Sequence, residues 1–578
     1  MDAIIGTGKL SQRKYGIAAE RNVSVPMSDG VNLDVDVFRP SDTEEKFPAL
    51  LAVAPYDKEA ESDRVWPVAI GTSFLRGQTN GNMEAASSDF FVRRGYVHIK
   101  GSARGTGRSG GIYQWISPRE IMDLYDLVEW AAKQPWCNGN VGMVGISYFG
   151  WIQTLAAALQ PPHLKCIFPF NAATDQYRML WYHGGIRWES FVAHLLNLKS
   201  LDIHTDARVM KEELGEEAFQ AAIDKLLEDE EICANPIFID ALKHPNKPGN
   251  SLKIDILLND AADTKYWKDR YPTLDNIKIP VYCGACWHKF PLHLPGAFDQ
   301  WANLKVPKKL LIGPPYGPDR PLYQLQWEML RWYDHWLKNI DTGIMDENPV
   351  KLFVRGSNEW KFTDDWPVPG TSWIPFFLHH KGILSEMEPW PDAPNATFED
   401  GPAKRGFLKY YSPRLVEDTE VCGPMSLNLY ASSRDQDIYF FVSLWDVDEN
   451  NKETLLTRGW LRGSHLAVDP EKSKPYQPYH PHTKAEPLVA GRVYKFPIEI
   501  MPTANMFKYG HKIMLKISCA DNEKSPNNPH EEILTGHSWR QTENKITVLH
   551  DADHPSNLLL PITKGNIMGT YMSGGLLG

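Results

Sequence analysis

The sequence predicts an α/β protein built on a mostly parallel sheet, with a helical insertion and a separate all-β domain towards its C-terminal end. Three features carry that expectation. From Phe47 to Asn171 short apolar runs alternate with helical stretches, as when crossover helices join parallel strands. From about Asp175 to Leu274 the texture turns aromatic and charged, with amphipathic segments such as Glu217 to Glu228. After Pro349 strands and turns alternate and helical periodicity all but ends, which points to a sandwich or jelly roll. The expected division is 1–172 and 276–345 for two parts of an α/β core, 173–275 for a helical cap between them, and 346–578 for a β jelly-roll domain.

Composition narrows the function classes. The chain has 578 residues, 42% hydrophobic and 23% charged, the balance of a globular protein with room for a large core. Its net charge is −11 and no basic run stands out, so nucleic acid is not an expected partner. The first residues lack the apolar core of a signal peptide, and no apolar run is long enough to span a bilayer. Seven scattered cysteines do not resemble a disulfide framework, so a reduced, cytoplasmic location is expected. Cys283 and Cys286 form a C-x-x-C at the end of IPVYCGAC, with neither a second pair nor a thioredoxin-like unit; strand-end packing is the expectation. No metal-ligand cluster or nucleotide fingerprint appears, so no cofactor and no metal are expected. A homo-oligomer is left open.

In chain order, Val23–Val25 and Leu33–Phe38 alternate as strands do, with Ser28-Asp29-Gly30 between them. The continuous apolar run Phe47–Ala54 reads as a strand buried on both faces. It ends in Pro55-Tyr56-Asp57-Lys58, polar groups just past a carboxyl end, where open α/β sheets bind ligands. Tyr96–Lys100 is a second interior strand. The turn Gly101 to Gly111 that follows lacks the G-K-[ST] ending of a phosphate loop and reads as a tight loop bordering the site. Ser117-Pro118-Arg119-Glu120 is a capping box, opening a helix with Ile121, Leu124, Tyr125, Val128 and Ala132 on one face. Cys166–Phe170 is a further strand. Beyond the cap come the strand Ile279–Gly284, a helix near His293–Leu304, the strand Lys309–Ile312 and a long helix from Tyr323 to Lys338.

The stretch that organises the chain is Asn140 to Leu159. Val141, Met143, Val144 and Ile146 make a short buried strand, the chain breaks at Gly145-Ile146-Ser147-Tyr148-Phe149-Gly150, and a helix with Trp151, Ile152, Leu155 and Ala156 follows. Strand, serine on a tight turn, then helix is the layout of a nucleophile elbow, in which a strained turn pushes the serine Oγ above the sheet. The usual pattern is G-x-S-x-G; here the second glycine comes one residue late, at Gly150.

These residues resemble a known family. Gly145-Ile146-Ser147-Tyr148-Phe149-Gly150, Pro135-Trp136 with Gly139-Asn140-Val141-Gly142, Pro55-Tyr56-Asp57-Lys58, Arg104-Gly105-Thr106-Gly107 with Ser109-Gly110, and Trp332 to Lys338 look like the cocaine esterase and X-prolyl dipeptidyl peptidase family. The resemblance covers nearly the whole chain. It implies an α/β-hydrolase core, an inserted helical cap and a C-terminal β jelly roll, and an enzyme acting on a small-molecule ester, lactone or amide carbonyl. It further implies that Ser147 is the acylated nucleophile, and that the Tyr148 backbone N–H and the Tyr56 hydroxyl form the oxyanion hole.

Two departures qualify that picture. The family aspartate follows the strand corresponding to Ile279–Gly284, where this chain reads Ala285-Cys286-Trp287-His288. The family histidine follows the next strand, where the text is Gly313-Pro314-Pro315-Tyr316-Gly317-Pro318, and no histidine occurs between His293 and His335. A serine hydroxyl without a base is a poor nucleophile near neutral pH. Three readings stay open. His288 or His183 replaces the base; or the oxyanion hole serves a lyase, isomerase or cyclase with a histidine moving the proton; or the protein binds without turnover. His335 belongs to the family-like helix and is not expected to be catalytic. Trp287, Trp181, Tyr182, Trp188 and His183 are candidate walls of the substrate pocket. Ser102 stands where the family loop usually has aspartate.

Overall fold

The structure, a computed structural model, describes residues 9–56, 58, 84–195, 203–314, 322–521 and 536–565. In chain order the strands begin β1 (Gly16–Pro26), β2 (Asn32–Ser41), β3 (Phe47–Ala54), β4 (Val97–Ser102), β5 (Cys137–Met143) and β6 (Leu164–Ile167). A hairpin of β7 (Tyr182–His183) and β8 (Ile186–Arg187) stands apart, and β9 (Val281–Cys286), β10 (Lys308–Gly313), β11 (Val350–Val354) and β12 (Glu359–Thr363) complete the first sheet. Its order is β1-β2-β4-β3-β5-β6-β9-β10-β11-β12, parallel from β4 to β11 and antiparallel at both ends. β3 is buried along its whole length, as its unbroken apolar run requires.

β11 and β12 correct the expected domain boundary at 346. They extend the first sheet, β11 parallel to β10 and β12 antiparallel to β11. β11 reads as a mostly apolar strand and β12 as an alternating one, and neither pattern marks the sheet it will join.

Helices α1 (Ser88–Val92), α2 (Pro118–Ala132) and α3 (Tyr148–Ala158) pack beside β3, β4 and β5. Ser117 caps α2 as expected, its Oγ accepting from the Glu120 N–H at 3.2 Å. The long helix Leu322–Lys338 explains its family-like sequence: the Tyr333 hydroxyl donates to the Met143 carbonyl (2.8 Å) and the Trp332 indole to that of Ile167 (3.1 Å). It thus pins the carboxyl ends of β5 and β6 from below the site. Asp334 on the same helix accepts from the Tyr96 hydroxyl at 2.6 Å and the Ser11 hydroxyl at 2.7 Å.

The cap enters through a π-turn (Tyr177–Trp181) and the β7–β8 hairpin, then turns helical, with Arg208–Leu214, Glu216–Leu226, Pro236–Lys243 and Asn250–Leu258 among its helices. From Ser372 on the chain forms the second sheet. Asn557–Lys564 pairs with both Ser372–His379 and Thr419–Ser433, which closes the sheet into a barrel around its own apolar core. The sheet and cap share a different core. Backbone bonds seat the barrel on the cap: the Arg462 N–H donates to Gly184 and the Ser538 N–H to Arg187, each at 2.8 Å. Gly184 permits this approach, because a Cβ there would lie 2.1 Å from the Trp460 carbonyl oxygen.

Candidate active site

The turn after β5 has the backbone of a nucleophile elbow. Ser147 sits at φ 58°, ψ −126°, a region costly for any residue with a Cβ, of order 1–3 kcal/mol. Surrounding bonds hold it there: the Ile146 N–H donates to Glu84 (3.0 Å), the Ser147 N–H to Phe170 (3.1 Å), and the Gly150 and Trp151 N–H groups return to the Ser147 carbonyl at 2.8 Å. The late glycine has a steric cause. A Cβ on Gly150 would lie 2.5 Å from the Phe170 carbonyl oxygen, so the close approach falls one residue beyond the usual place. From Gly145 to Gly150 every residue is buried except Ser147, which is half-buried.

Tyr148 is the first residue of α3, so its N–H is among those a helix leaves without an internal partner. Its ring is fixed from three sides. The Trp115 ring meets it edge-on at 5.2 Å, the Tyr56 ring at 6.1 Å, and its hydroxyl donates to Glu120 Oε1 at 2.7 Å. Tyr56 itself is half-buried just past β3. Two residues on, Lys58 is anchored in the core with its Nζ 2.6 Å from Asp36 and 3.2 Å from Asp34 on β2, and 2.7 Å from the Asn22 side chain. Burial pushes the Asp36 carboxyl up, and Lys58, the Asn22 N–H and Arg21 outweigh it, so its pKa is lowered. The Pro-Tyr-x-Lys stretch is therefore a buried ion-pair anchor carrying a tyrosine; Asp57 lies outside the described residues.

On the base side the arrangement is different. His288 is half-buried in a 3₁₀ turn, Trp287–Lys289, directly after β9. Sheet order puts it two strands from the elbow, with β6 between β5 and β9. β10 ends at Gly313, and the residues from Pro315 to Pro318, including Gly317, where the resemblance leads one to expect the family histidine, lie outside the described residues. Sequence reading passed over one histidine here. His293 is buried, its ring 5.7 Å from that of Trp151, on the first turn of the elbow helix.

Residues 29–316 match the family model described as X-Pro dipeptidyl-peptidase (S15 family), and residues 342–559 match the X-Pro dipeptidyl-peptidase C-terminal non-catalytic domain. The chain belongs to this family. It is 26% identical to the cocaine esterase of Rhodococcus sp., over 95% of this chain and 99% of that one. Its fold is similar to that of a CocE/NonD family hydrolase from Staphylococcus aureus (TM-score 0.76, 24% identity, covering 95% and 97% of the two chains). It is also similar to that of an aminopeptidase from a marine sediment Thaumarchaeota archaeon (TM-score 0.71, 18% identity, covering 95% and 97%).

The expected pocket walls of this S15-family chain are mostly interior. Trp287 is buried between Phe298 and Trp366, its indole donating to the Phe353 carbonyl at 2.6 Å. Trp188 is buried and stacks on Phe191 at 4.5 Å. Trp181, also buried, meets Trp115 edge-on at 5.2 Å, and Trp115 meets Tyr148 and Trp151, so among these rings Trp181 is the one linked to the elbow helix. Tyr182 is buried in β7, its ring stacked on Tyr177 at 4.8 Å. Its hydroxyl donates to Ile256, and its ring lines a polar cavity of 330 Å³ between cap and barrel, together with Arg187, Glu231, Tyr439, Arg462 and Arg540.

His183 is buried and tied into the barrel. Its Nδ1 lies 2.8 Å from His537 Nε2, and His537 Nδ1 bonds Asp521, which also faces Arg458. Burial and the neighbouring imidazole hold His183 well below its usual pKa, so it is neutral. Nothing in the sequence around His183 signals partners more than 300 residues away.

Cys283 and Cys286 are buried within β9 and form no disulfide with each other, and burial pushes the Cys283 thiol up to about 12. The Gly101–Gly111 loop is held by Arg104, which pairs with Asp123 (2.6 Å) and Asp29 (3.0 Å). Among the described residues no group of three or more His, Cys, Asp or Glu could hold a metal ion, and no helix is long and apolar enough to cross a membrane.

Proposed function

We propose that the protein is a serine hydrolase cleaving an ester, lactone or amide carbonyl of a small molecule through Ser147. The observation that carries this is the elbow: a strained serine, alone half-exposed in an otherwise buried turn, at the carboxyl end of a central parallel strand. Strain at a non-glycine residue persists only where the surroundings over-determine it, and the bonds from Ile146, Ser147, Gly150 and Trp151 do so here. In the proposed reaction a base removes the Ser147 Oγ proton as Oγ attacks the carbonyl carbon. The Tyr148 N–H and the Tyr56 hydroxyl hold the oxyanion, the leaving group departs protonated, and water then releases the acyl group. His288, on the turn after β9, is the proposed base. The family membership and the named activities of its relatives, an esterase and an aminopeptidase, support the carbonyl as the reacting group.

A second reading keeps the oxyanion hole but not the acyl-enzyme: a lyase, isomerase or cyclase in which a histidine moves a proton at a carbonyl substrate. It is favoured by the histidine-free sequence between His293 and His335, which leaves Ser147 without the family base.

Intact-mass spectrometry after incubation with a fluorophosphonate decides between them. A single adduct, absent from Ser147→Ala, is expected, with His288→Ala slowing its formation about 10²- to 10⁴-fold, the range of a general base. His293→Ala serves as the comparison for the second nearby imidazole. No adduct on the folded wild-type protein would overturn the acyl-enzyme reading and leave the proton-transfer one.

A further inference from the structure

A buried carboxyl next to the elbow has a role that its own helix does not require. Glu120 is the third residue of α2, where a capping box would turn its carboxyl back onto the Ser117 N–H. The structure sends it elsewhere. Oε1 accepts from the Tyr148 hydroxyl at 2.7 Å, the Tyr113 hydroxyl donates to that same oxygen of Tyr148 at 3.0 Å, and Oε2 has no hydrogen-bond partner among the described residues. Glu120, Tyr148 and Tyr113 are 2%, 0% and 2% exposed. Three elements thus converge on one phenol, and that phenol belongs to the residue following the candidate nucleophile.

We propose that Glu120 is a positioning residue of the Ser147 site: through the Tyr148 hydroxyl it fixes the tyrosine whose backbone N–H faces the oxyanion. The inference rests on the acyl-enzyme reading. The groups facing the carboxyl are Tyr148 from α3, Tyr113 from the preceding loop, Asp123 on its own helix and Arg270 from the cap. Burial, with Asp123 adding to it and the Tyr148 bond, Arg270 and the Ile116 backbone opposing, pushes the carboxyl up to about 8. Arg104 and Arg119 are engaged with Asp123. At neutral pH Glu120 is therefore an un-ionised acid that anchors Tyr148 without placing a negative charge behind the oxyanion hole. Once ionised, it stands roughly one tyrosine side chain from the developing oxyanion, a repulsion worth about tenfold in rate at an effective dielectric near 20.

The test is the fluorophosphonate labelling rate of the full chain between pH 6 and pH 10 for wild type, Glu120→Gln and Glu120→Leu, with Ser147→Ala as blank. Gln keeps the shape and cannot ionise, so the ratio of wild type to Glu120→Gln cancels the titration of the base and the decay of the probe. That ratio is expected to be near one below pH 7 and to fall about tenfold by pH 9.5. Glu120→Leu, which removes the anchor, is expected to be about tenfold slow at every pH; if it does not fold, Tyr148→Phe, which breaks the same hydrogen bond, takes its place. A pH-independent ratio, or an anchorless variant labelling at the wild-type rate, overturns this inference alone. Absence of labelling in wild type at every pH overturns it together with the Ser147 reading.

Discussion

The carboxyl ends of β5 and β9 lie on the same edge of one sheet, yet one end keeps its family pattern and the other does not. At β5 the proposed machinery is mostly backbone: a strained Ser147, a glycine forced by the Phe170 carbonyl, and an N–H at the start of α3. At β9 the machinery would be a side chain on a short turn, where the resemblance leads one to expect an aspartate and the chain has His288. The difference shows which parts of such a site are fixed by the fold. Backbone geometry depends on packing from several elements and resists change; a loop side chain touches few of them and can be exchanged without disturbing the sheet.

The sharpest way to test that the elbow side is built by packing is at its far anchor. Lys58→Met would leave Asp34 and Asp36 buried with their shared counter-ion gone. Breaking a buried pair from one side typically costs about 3–5 kcal/mol, so a large fall in the denaturation midpoint is expected. If Tyr56 is held by this anchor, labelling of Ser147 should fall as well in whatever protein remains folded. Intact labelling would separate the tyrosine from its ion pair.

Next comes the donor itself. Tyr56→Phe keeps the ring against Tyr148 and Phe149 and removes only the hydroxyl. Loss of one oxyanion donor typically slows the chemical step about 10²- to 10³-fold, with stability nearly unchanged. A labelling rate within about threefold of wild type would take Tyr56 out of the site and leave the β5 side with its backbone donor alone.

The Glu120 carboxyl gives a stability signature of the same region. Its folded pKa, about 8, lies above the ordinary carboxylate value, so between pH 4.5 and pH 8 the folded protein holds a proton that the unfolded chain has released. Stability from this group is therefore highest at acid pH and falls as pH rises through that window. The slope is at most about 1.4 kcal/mol per pH unit. Chemical denaturation at pH 5, 6.5 and 8 should show Glu120→Gln gaining on wild type steadily; parallel curves would mean that Glu120 is ionised in the folded state.

How far the sequence reached follows the same division. The parallel core, the cap and the elbow were legible because they are written in runs, periodicities and glycines that act locally. Gly150, one residue off pattern, became intelligible only with the Phe170 carbonyl beside it. Trp115, Glu120, Lys58 and His293 gave no local signal of their roles, since each acquires its role from a partner on another element. β11 and β12 lie in the first sheet and not the second, because a short strand's sequence reports its burial and not its neighbour. The four tryptophan and tyrosine candidates for pocket walls rest on aromatic residues in a plausible place, and Trp287 and Trp188 are buried against other rings.

The smallest expected effect is the one that could break the comparison. Asp521, His537 and His183 form a buried acid–imidazole–imidazole chain running from the barrel to the cap hairpin, with Asp521 on His537 Nδ1 as an acid sits on a catalytic histidine. If the β9 side has simply lost its base to another part of the molecule, this chain is where it would have gone. Its burial argues otherwise: His537 is wrapped by Trp188, Trp460 and Phe441, and His183 by Trp188 and Trp460. Asp521→Asn should then weaken the chain and the Asp521 contact with Arg458, costing about 1.5–3 kcal/mol of stability, the scale of a hydrogen bond to a charged group. The Ser147 labelling rate should stay within about twofold. A tenfold slower rate in folded Asp521→Asn, with an altered pH dependence, would show instead that the barrel supplies the base and that the two sheet ends differ because the second was relocated.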